Sequence, residues 1–361
     1  MTFRPTFVKV DLSAITHNYN AFRKHIGNTK LAVAVKANAY GHGIVRISQH
    51  LEQLGVDVLL VATVDEAIEL RKANIKTDIM VLSEPTTNAI DACIENDLIV
   101  TVYSAKFIKS LVEKQKPMRV HLKVDTGMNR VGCNFEEVLE FAQTISMSKL
   151  TFEGFFTHLA TADDPDEIGV LTQIEKFEQC LELLDNVSLR PPIVHVANSA
   201  ATIKHKKYHF DMVRVGLSIY GLYPHENMKS LIELKPALSV HTKIGYIKDV
   251  SHGEKISYGW HHQFEHDSKV ATLPIGYGDG IWRDFGMLGG HVVINERPCD
   301  IVGVITMDQT MVDISHIDAK VGDDVTIMGL NVEADYCAKL EKTISYEMLC
   351  DLSARLPRIY D

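Results

Sequence analysis

The feature that most constrains the fold is an alternation between short apolar runs and amphipathic segments. The first run, LAVAV at residues 31–35, holds only small or aliphatic residues and predicts a strand buried on both faces. Seven more strand candidates follow, with helical patterns between them, at residues 57–61, 78–82, 99–103, 119–124, 151–156, 193–197 and 212–216. Eight such runs predict an α/β fold in which a parallel sheet closes into an N-terminal (β/α)8 TIM-like barrel.

An open, doubly wound sheet is the structural alternative to a barrel. Such a sheet usually presents the phosphate-binding pattern GxGxxG directly after its first strand. Here the first strand is followed by KANAYGHG, residues 36–43, which does not contain that pattern. The sequence therefore favours the barrel.

The pattern changes near residue 231, where helical periodicity gives way to strand-like segments with turn glycines. The segments LSVHTKIGYIKDV and KVATLPIGYGDG, residues 238–250 and 269–280, are typical of this part. We predict two domains, a barrel at residues 1–230 and a C-terminal, mostly β domain at 231–361, with one helix near residues 346–356.

Composition and charge exclude several classes of protein. The formal net charge of −10 disfavours a nucleic-acid-binding surface. Six scattered cysteines without a CxxC pair suit a reducing compartment and offer neither a disulfide framework nor a zinc site. No apolar run approaches the ~18 residues of a membrane span, and the start, MTFRPTFVKVDL, lacks the apolar core of a signal peptide. We expect a soluble, cytoplasmic protein.

Polar side chains recur at the carboxyl ends of the predicted strands, where a barrel places its active site. A single lysine at a strand end is usually only leaving the core. A set of such residues converging on one face points to chemistry instead. The set consists of Lys36, Lys123, Asp125, Arg130, His158, Asn198, Ser199, Arg214 and Gly216.

A lysine in an apolar barrel mouth can act as a Schiff-base nucleophile, because desolvation lowers its pKa and frees the amine. The carbonyl partner of Lys36 is either a substrate or pyridoxal 5′-phosphate. Ser199 and the backbone N–H of Gly216 offer a phosphate site at the end of strands seven and eight, which favours the cofactor. Tyr40 can add a phenolic donor, and Arg214 can face the pyridine nitrogen.

Other chemistries have less support. His205 and His209 have helical spacing, but the general base of an HExxH zinc site is missing, so we predict no metal site. No GxSxG elbow of a serine hydrolase is present either.

The stretch AVKANAYGHG, residues 34–43, resembles the cofactor-lysine motif of the alanine racemase family. Barrel-type decarboxylases have a similar lysine stretch, so that motif is only moderately specific. Further blocks resemble the family in its order, and the combination of ISYG with MDQ is highly specific. These blocks are KVDTGMNRVG (123–132), FFTHLA (155–160), HVANSA (195–200), VRVGLSIYG (213–221), ISYG (256–259), LPIGYGDG (273–280) and TMDQTMVD (306–313).

The resemblance implies a homodimeric isomerase that interconverts L-alanine and D-alanine on a pyridoxal phosphate aldimine and supplies D-alanine for bacterial peptidoglycan. Lys36 would bind the cofactor and serve as one base, and Tyr258 would reach in from the second subunit as the other. Two bases on opposite faces of the α-carbon exchange its proton without turning the intermediate over. The cofactor is the electron sink.

The resemblance also assigns supporting roles. His158 would hydrogen-bond Tyr258, with Arg214 behind it and donating to the pyridine nitrogen. An arginine does not readily give up its proton, so the ring nitrogen would stay largely unprotonated, which we expect to suppress side reactions. The cofactor-binding set would comprise Lys36, Tyr40, Asn198, Ser199, Arg214, Gly216 and Tyr360.

On the substrate side, the resemblance implies that Arg130 and the backbone N–H of Met307 contact the carboxylate. Tyr277 would help to form a narrow entrance, and Asp308 would be a polar neighbour. Lys123 matches a lysine that can be carbamylated in this family. A carbamate would position Arg130, whereas an unmodified lysine would repel it.

Two departures from the family pattern stand out. Val304 and Thr306 replace an Arg and a Cys that many relatives have before the Met-Asp pair. Ala354 occupies the place of a phosphate-binding tyrosine, and Tyr360 is the candidate substitute. Neither change removes a proposed base.

Four alternatives remain beside an alanine racemase, and the simplest of them is a barrel that binds no cofactor. A racemase of another small amino acid, such as serine, would use the same apparatus. A barrel decarboxylase would not need the second-face base that ISYG supplies. A non-catalytic pyridoxal phosphate carrier would need Lys36, but neither Tyr258 nor a β domain of about 130 residues.

Overall fold

A computed structural model of the chain describes residues 3–361. Its largest sheet has eight strands in the order β8-β7-β6-β5-β4-β3-β2-β9, and every pairing between them is parallel. These strands are β2 (Lys30–Ala34), β3 (Val58–Val61), β4 (Asp78–Val81), β5 (Ile99–Val102), β6 (Met118–Lys123), β7 (Leu150–Phe156), β8 (Ile193–His195) and β9 (Met212–Val215). All eight predicted strands are confirmed, and the predicted TIM-like barrel is confirmed with them.

Backbone hydrogen bonds join the two ends of this sheet. The N–H of Asp211 donates to the carbonyl of Val194 at 3.0 Å, and the N–H of Arg214 donates to that of Ala197 at 2.9 Å. The barrel is filled by the aliphatic runs that predicted it, since Leu31 and the neighbouring strand residues are fully buried. Apolar burial of this extent is the main stabilising contribution to such a core.

Helices connect the strands, as their periodicity predicts. A capping box begins the helix Val64–Lys72: the hydroxyl of Thr63 accepts the N–H of Glu66, and the Glu66 carboxylate accepts the N–H of Thr63. The helices are α1 (Leu12–Ile26), α3 (Ile44–Leu54), α4 (Val64–Lys72), α5 (Ile90–Glu95), α6 (Ala105–Glu113), α7 (Val138–Ser146), α8 (Ile168–Asn186) and α9 (Ser199–Lys204), and α2 (Lys36–Tyr40) is an unusual turn described below.

A second unit is mostly β, as predicted. Its sheets have the orders β16-β15-β18-β10-β1-β19, β11-β14-β17 and β12-β13. The strands are β1 (Phe7–Val10), β10 (Leu238–Lys243), β11 (Tyr246–Val250), β12 (Lys255–Ile256), β13 (His262–Gln263), β14 (Ser268–Leu273), β15 (His291–Ile294), β16 (Arg297–Asp300), β17 (Thr310–Asp313), β18 (Asp324–Met328) and β19 (Arg358–Tyr360).

Two details of this unit differ from the expectation. Strand β1 pairs with β10 and β19, so the N-terminal residues up to Ser13, together with Tyr40–Gly43, group with Pro236–Asp361. The remaining residues, Ala14–Ala39 and Ile44–Lys235, form the barrel unit.

The helical part of the β unit also differs. Two helices, α10 (Ala334–Glu341) and α11 (Ser345–Cys350), replace the single helix expected near residues 346–356. Within the described residues, no helix combines the length and apolarity needed to cross a bilayer.

Candidate active site

Lys36 begins a turn of left-handed helix at the carboxyl end of β2. The four residues after it, Ala37 to Tyr40, have φ angles of 51°, 54°, 53° and 51°. Each non-glycine residue in this conformation costs about 1–2 kcal/mol. Surrounding contacts must therefore hold the turn, as is common for strained backbone at functional sites.

Glu66 of α4 is the main support of this turn. One oxygen of its carboxylate accepts the N–H of Ala37 at 2.7 Å, and the other accepts the N–H of Ala62 at 2.8 Å. The turn is closed from its far side by Asn38, whose side-chain oxygen accepts the N–H of Ile44 at 2.9 Å. The capping carboxylate of α4 thus also fixes the backbone beside Lys36.

Arg214 of β9 is the buried cation of the site. Its guanidinium donates to three backbone carbonyls, those of Thr157 at 2.8 Å, Val196 at 3.0 Å and His195 at 3.1 Å. It also contacts the Nδ1 atoms of His195 at 2.7 Å and His158 at 3.2 Å. Burial lowers the pKa of Arg214 to about 9, so it stays charged at neutral pH.

The contact with Arg214 assigns the tautomer of His158. An arginine can only donate, so Nδ1 of His158 is an acceptor and the ring proton lies on Nε2. Burial, followed by the charges of Arg214 and Lys123, holds the pKa of His158 well below its ordinary value. His158 is therefore a neutral ring that presents an Nε2–H donor.

Gln173 of α8 holds the loop that carries His158. Its amide nitrogen donates to the His158 carbonyl at 3.1 Å and to the hydroxyl of Thr126 at 3.2 Å. Its amide oxygen accepts the N–H of Ala160 at 2.8 Å. The buried Gln173 thus satisfies polar groups of two strand ends at once.

Lys123 is the second buried cation, with only 4% of its surface exposed. Its ammonium lies 5.7 Å from the centroid of the Phe156 ring. Burial first, and then the charges of Arg214 and Arg130, lower the pKa of Lys123 to about 8. About a tenth of this amine is therefore uncharged at pH 7, and the contribution of Arg130 has the repulsive sign expected for an unmodified lysine.

The predicted phosphate donors also come together. The hydroxyl of Ser199, at the start of α9, accepts the N–H of Gly216 at 2.9 Å. Asn198 braces the same region, since its oxygen accepts the N–H of Ala201 and its nitrogen donates to the Leu159 carbonyl. The ends of β8 and β9 thus converge on Ser199 and Gly216.

Tyr40 and Tyr360 belong to the β unit. The Tyr40 ring is buried, with its centroid 5.9 Å from that of Tyr346, and burial raises its pKa, so the phenol keeps its proton. The Tyr360 hydroxyl donates to the carbonyl of His42 at 3.0 Å. A Cβ at Gly43 would lie 1.9 Å from that hydroxyl, so only glycine fits there.

Tyr258 stands next to a strained residue. The side chain of Tyr258 is 71% exposed in the single chain. Ser257 has φ 63° and ψ −177°, a conformation that is almost restricted to glycine. The Ser257 hydroxyl donates to the carbonyl of Val304 at 2.5 Å. This bond ties the segment before Tyr258 to the buried Val304, one of the three positions that depart from the family pattern.

The remaining predicted residues of the β unit lie in two interlocked turns. The N–H of Tyr277 donates to the Thr306 carbonyl at 3.0 Å, and the N–H of Gly278 donates to the Met307 carbonyl at 2.9 Å. Asp308 forms an ion pair with Arg355 at 2.7 Å. The side chains of Tyr277 and Met307 are both exposed.

The structure thus divides the predicted site residues into two groups. Lys123, His158 and Arg214 lie together in the barrel unit, and Ser199 contacts Gly216 there. Tyr258, Tyr277, Met307 and Asp308 lie in the β unit. Sequence reasoning missed the supporting roles of Glu66, Gln173 and Ser257, and only Glu66 carried a signal, its capping box.

A (β/α)8 barrel with a lysine after its first strand and a buried arginine in its last, joined to a mostly β domain, defines a barrel-type pyridoxal phosphate enzyme. Comparison with known proteins narrows the class. The family described as "Alanine racemase, N-terminal domain" matches residues 10–224, and "Alanine racemase, C-terminal domain" matches residues 237–360.

Individual relatives agree with these matches. Alanine racemase 2 of Oceanobacillus iheyensis is 42% identical over 370 residues, which cover 99% of this chain and 94% of that protein. Alanine racemase of Methanococcus maripaludis is 41% identical, with both chains fully covered. The structure of alanine racemase from Clostridium difficile superposes with a TM-score of 0.95 at 36% identity, covering 100% of this chain and 97% of the other.

The chain belongs to the alanine racemase family. It is an isomerase that interconverts L-alanine and D-alanine, and its cofactor is pyridoxal phosphate. The predictions of family, fold, activity and cofactor are therefore confirmed.

Proposed function

We propose that Lys36 and the partner subunit's copy of Tyr258 are the two bases of racemisation, acting on opposite faces of the α-carbon. The exposure of Tyr258 supports this proposal: a side chain that is 71% exposed in one chain is available to a second. Other large apolar side chains of the same unit are exposed as well, including Tyr246 at 60% and Trp260 at 68%. Exposed apolar surface of this kind fits a homodimer interface.

The barrel residues fit the cofactor by their chemistry. The Ser199 hydroxyl would supply a neutral donor for a phosphate, and the N–H of Gly216, which donates to that hydroxyl in this structure, would turn to the phosphate as a second donor. Tyr40 and Tyr360 are candidates for further phenolic donors. Asn198 braces the loop beside Ser199. Lys36 supplies the amine that would hold the group, and the bound cofactor withdraws electrons from the α-carbon.

Arg214 would donate to the pyridine nitrogen. Three backbone carbonyls and two imidazoles hold its guanidinium. Because it keeps its proton at neutral pH, it acts as a donor without protonating the ring. With the cofactor bound, this arrangement would leave its ring a weaker electron sink and would limit side reactions.

His158 would support the second base. A phenol has a pKa of about 10, so Tyr258 needs a donor that stabilises its anionic form. The contact of Nδ1 with Arg214 leaves the Nε2–H of His158 as that donor. Tyr258 would thus exchange a proton with the α-carbon while His158 and Arg214 compensate its charge.

Arg130 and the backbone N–H of Met307 would bind the substrate carboxylate, with Tyr277 and Asp308 near the entrance. Lys123 would be carbamylated: its uncharged amine attacks carbon dioxide, a carbon–nitrogen bond forms as one C=O π bond opens to give a carboxylate, and one proton passes from the nitrogen to solvent. The product carries a negative charge beside Arg130 and Arg214. The lowered pKa of Lys123, about 8, supports this step because only the uncharged amine reacts.

In the cell, we propose a cytoplasmic enzyme whose D-alanine enters peptidoglycan. The thiols of Cys93, Cys133, Cys180, Cys299 and Cys337 are reduced and buried, which suits that compartment.

Borohydride reduction tests the role of Lys36. Reduction of the holoenzyme fixes the cofactor covalently on the lysine that holds it. Peptide mass spectrometry should then find the pyridoxyl group on Lys36. Its appearance on Lys123, the other lysine of the site, would overturn the assignment.

A further inference from the structure

A row of polar side chains runs from Arg214 into the interior of the barrel. Nδ1 of His195 contacts the Arg214 guanidinium at 2.7 Å, and its Nε2 lies 2.9 Å from Nδ1 of His121. Nε2 of His121 lies 3.3 Å from the carboxylate of Glu153. Both imidazoles are buried, with 0% and 1% of their surfaces exposed. None of the roles derived above uses His121 or Glu153.

The groups at the two ends of this row determine which ring nitrogens between them carry a proton. Arg214 can only donate, so Nδ1 of His195 accepts and its proton lies on Nε2. That proton is donated to Nδ1 of His121, whose own proton must therefore lie on Nε2. An ionised carboxylate can only accept, so the last hydrogen bond runs from His121 to Glu153. All the bonds point in one direction, from the guanidinium to the carboxylate.

The charge states agree with this direction. Burial lowers the pKa of both imidazoles below the ordinary histidine value, so both rings are neutral at neutral pH. Burial raises the pKa of Glu153, but the hydrogen bond from His121 and the charge of Arg119 outweigh it, and the net pKa is lowered. A cation and an anion are thus joined through two neutral rings.

The backbone departs from regular strand pairing next to this row. Val120 of β6 pairs with Phe152 of β7, but His121 pairs with Gly154, so Glu153 is the extra residue of a β-bulge. Bulges interrupt a ladder and redirect a side chain. A Cβ at residue 154 would lie 2.4 Å from Nδ1 of His121, so Gly154 makes room for the ring. Both features accommodate this polar contact within an otherwise apolar barrel.

Aromatic stacking fixes the position of His195. Its ring is parallel to that of Phe156, with centroids 4.5 Å apart and an interplanar angle of 8°. Rotation of His195 would lose this stacking together with both hydrogen bonds. A polar row whose two imidazoles are buried, with every ring nitrogen in contact with a hydrogen-bond partner, is rigid and specifies one arrangement.

We propose that His195, His121 and Glu153 form a one-directional hydrogen-bond chain that positions Arg214 and stabilises its charge where it meets the pyridine nitrogen. The three are positioning residues for the known reaction. The proposal rests on the proposed place of Arg214 at the cofactor ring. The arrangement of protons along the chain does not depend on that place.

The chain offers a matched pair of conservative variants. Glu153→Gln removes the carboxylate at the end of the chain. Asp78→Asn removes a carboxylate that pairs with the same Arg119 at 2.8 Å, whereas Glu153 lies 3.7 Å from Arg119. Asp78 has no hydrogen bond to His121 in the described structure. Loss of a negative charge near Arg119 is common to both variants, whereas loss of the charge that accepts from His121 is specific to Glu153→Gln.

The first measurement is solid-state ¹⁵N NMR of holoenzyme labelled at histidine, with His121→Gln and His195→Gln used to assign the signals. The expected result is two neutral rings that are protonated on Nε2, in the wild type and in Asp78→Asn. A proton on Nδ1 of either ring, or a charged ring at neutral pH, would overturn the chain whatever the activity of the enzyme.

The second measurement uses holoenzyme reconstituted with pyridoxal phosphate labelled at its ring nitrogen. Glu153→Gln should shift the ring ¹⁵N signal and lower kcat about tenfold with little change in KM, since outer partners of functional groups typically have effects of this order. Asp78→Asn should leave the signal and kcat near wild type. Equal effects of the two variants, or no shift in Glu153→Gln, would overturn the positioning role.

Arg214→Gln separates this proposal from the proposed function. If the ring ¹⁵N signal does not respond to loss of the guanidinium, Arg214 is not at the ring and the proposed function fails there. If it responds to Arg214→Gln but not to Glu153→Gln, only the positioning role fails.

Discussion

The side chains that we assign to one reaction differ in burial between the two units. In the barrel, Arg214 and Lys123 are buried, and their pKa values are lowered. In the β unit, Tyr258 and Met307 are exposed. Burial gives the barrel groups their chemistry without help from another chain. In the proposed homodimer, the exposed groups would acquire a comparable environment against the partner, which is why we propose that the two bases belong to different subunits.

Removal of either base should have the largest effect. Lys36→Ala and Tyr258→Phe should each lower racemisation roughly 10²–10⁴-fold, since a positioned general base contributes that much. The enantiomers have equal free energy, so both directions fail together. Tyr246→Phe, which changes another exposed tyrosine of the β unit, is the matched control and should stay near wild type.

Isotope exchange makes this prediction specific for the face of the α-carbon. In deuterated water, Tyr258→Phe should still label D-alanine at the α-carbon through Lys36 and should barely label L-alanine. Equal, near-native labelling of both enantiomers would remove Tyr258 from the mechanism.

Substitution of Ser257 should have the next largest effect. We expect it to slow only the proton exchange that Tyr258 performs on its face of the α-carbon. Ser257→Ala keeps the Cβ that makes φ 63° costly and loses the hydroxyl that holds this conformation. Labelling of L-alanine should fall about tenfold or more, as expected for the loss of a bond that restrains strained backbone. Ser257→Gly adopts the same φ without strain and should lose less. A Gly variant as impaired as the Ala variant would show that strain is irrelevant here.

Glu66→Gln is the corresponding test for Lys36, which exchanges the proton on the other face of the α-carbon. A glutamine has one side-chain oxygen and cannot accept from Ala37, Ala62 and Thr63 as the carboxylate does. We expect labelling of D-alanine to fall about tenfold, roughly the value of a charge-assisted hydrogen bond, with labelling of L-alanine less affected. An equal loss on both faces would indicate general destabilisation instead.

The sequence predicted the barrel better than the support of its site. Eight aliphatic runs separated by amphipathic segments leave few alternatives to a barrel fold. Polar residues at the strand ends indicated the end of the barrel that holds the site. The pairing of β1 with β10 was missed because FVKV does not indicate a partner more than 200 residues away. The left-handed turn was missed because Ala37 to Tyr40 contain no glycine. The bulge at Glu153 depends on strand register, which the alternation of residues does not reveal at this point.

Substitution of Lys123 should have the smallest effect, and the quantity that changes is the free energy of unfolding. Its pKa is lowered to about 8 from the ordinary lysine value of 10.5, so between these values the unfolded chain binds more protons and stability rises with pH. Below pH 8, the folded protein bears the cost of a buried ammonium. In buffer free of carbon dioxide, the free energy of unfolding of Lys123→Met at pH 7 should therefore exceed that of the wild type by up to about 3 kcal/mol.

This stability gain should shrink as the pH rises from 8 towards 10. Denaturant titration at fixed protein concentration measures it at each pH. A gain that does not depend on pH would show that apolar contacts of the methionine, and not the charge of Lys123, account for the difference.

Complementation between inactive chains tests most directly whether the two bases come from different subunits. Lys36→Ala and Tyr258→Phe chains are mixed and allowed to exchange subunits. In each mixed dimer, one composite site carries both defects and the other carries neither. Random pairing makes about half of the dimers mixed, so roughly a quarter of wild-type activity should return. If exchange is verified by mass spectrometry and no activity returns, Lys36 and Tyr258 serve one site from the same chain, and the account is wrong.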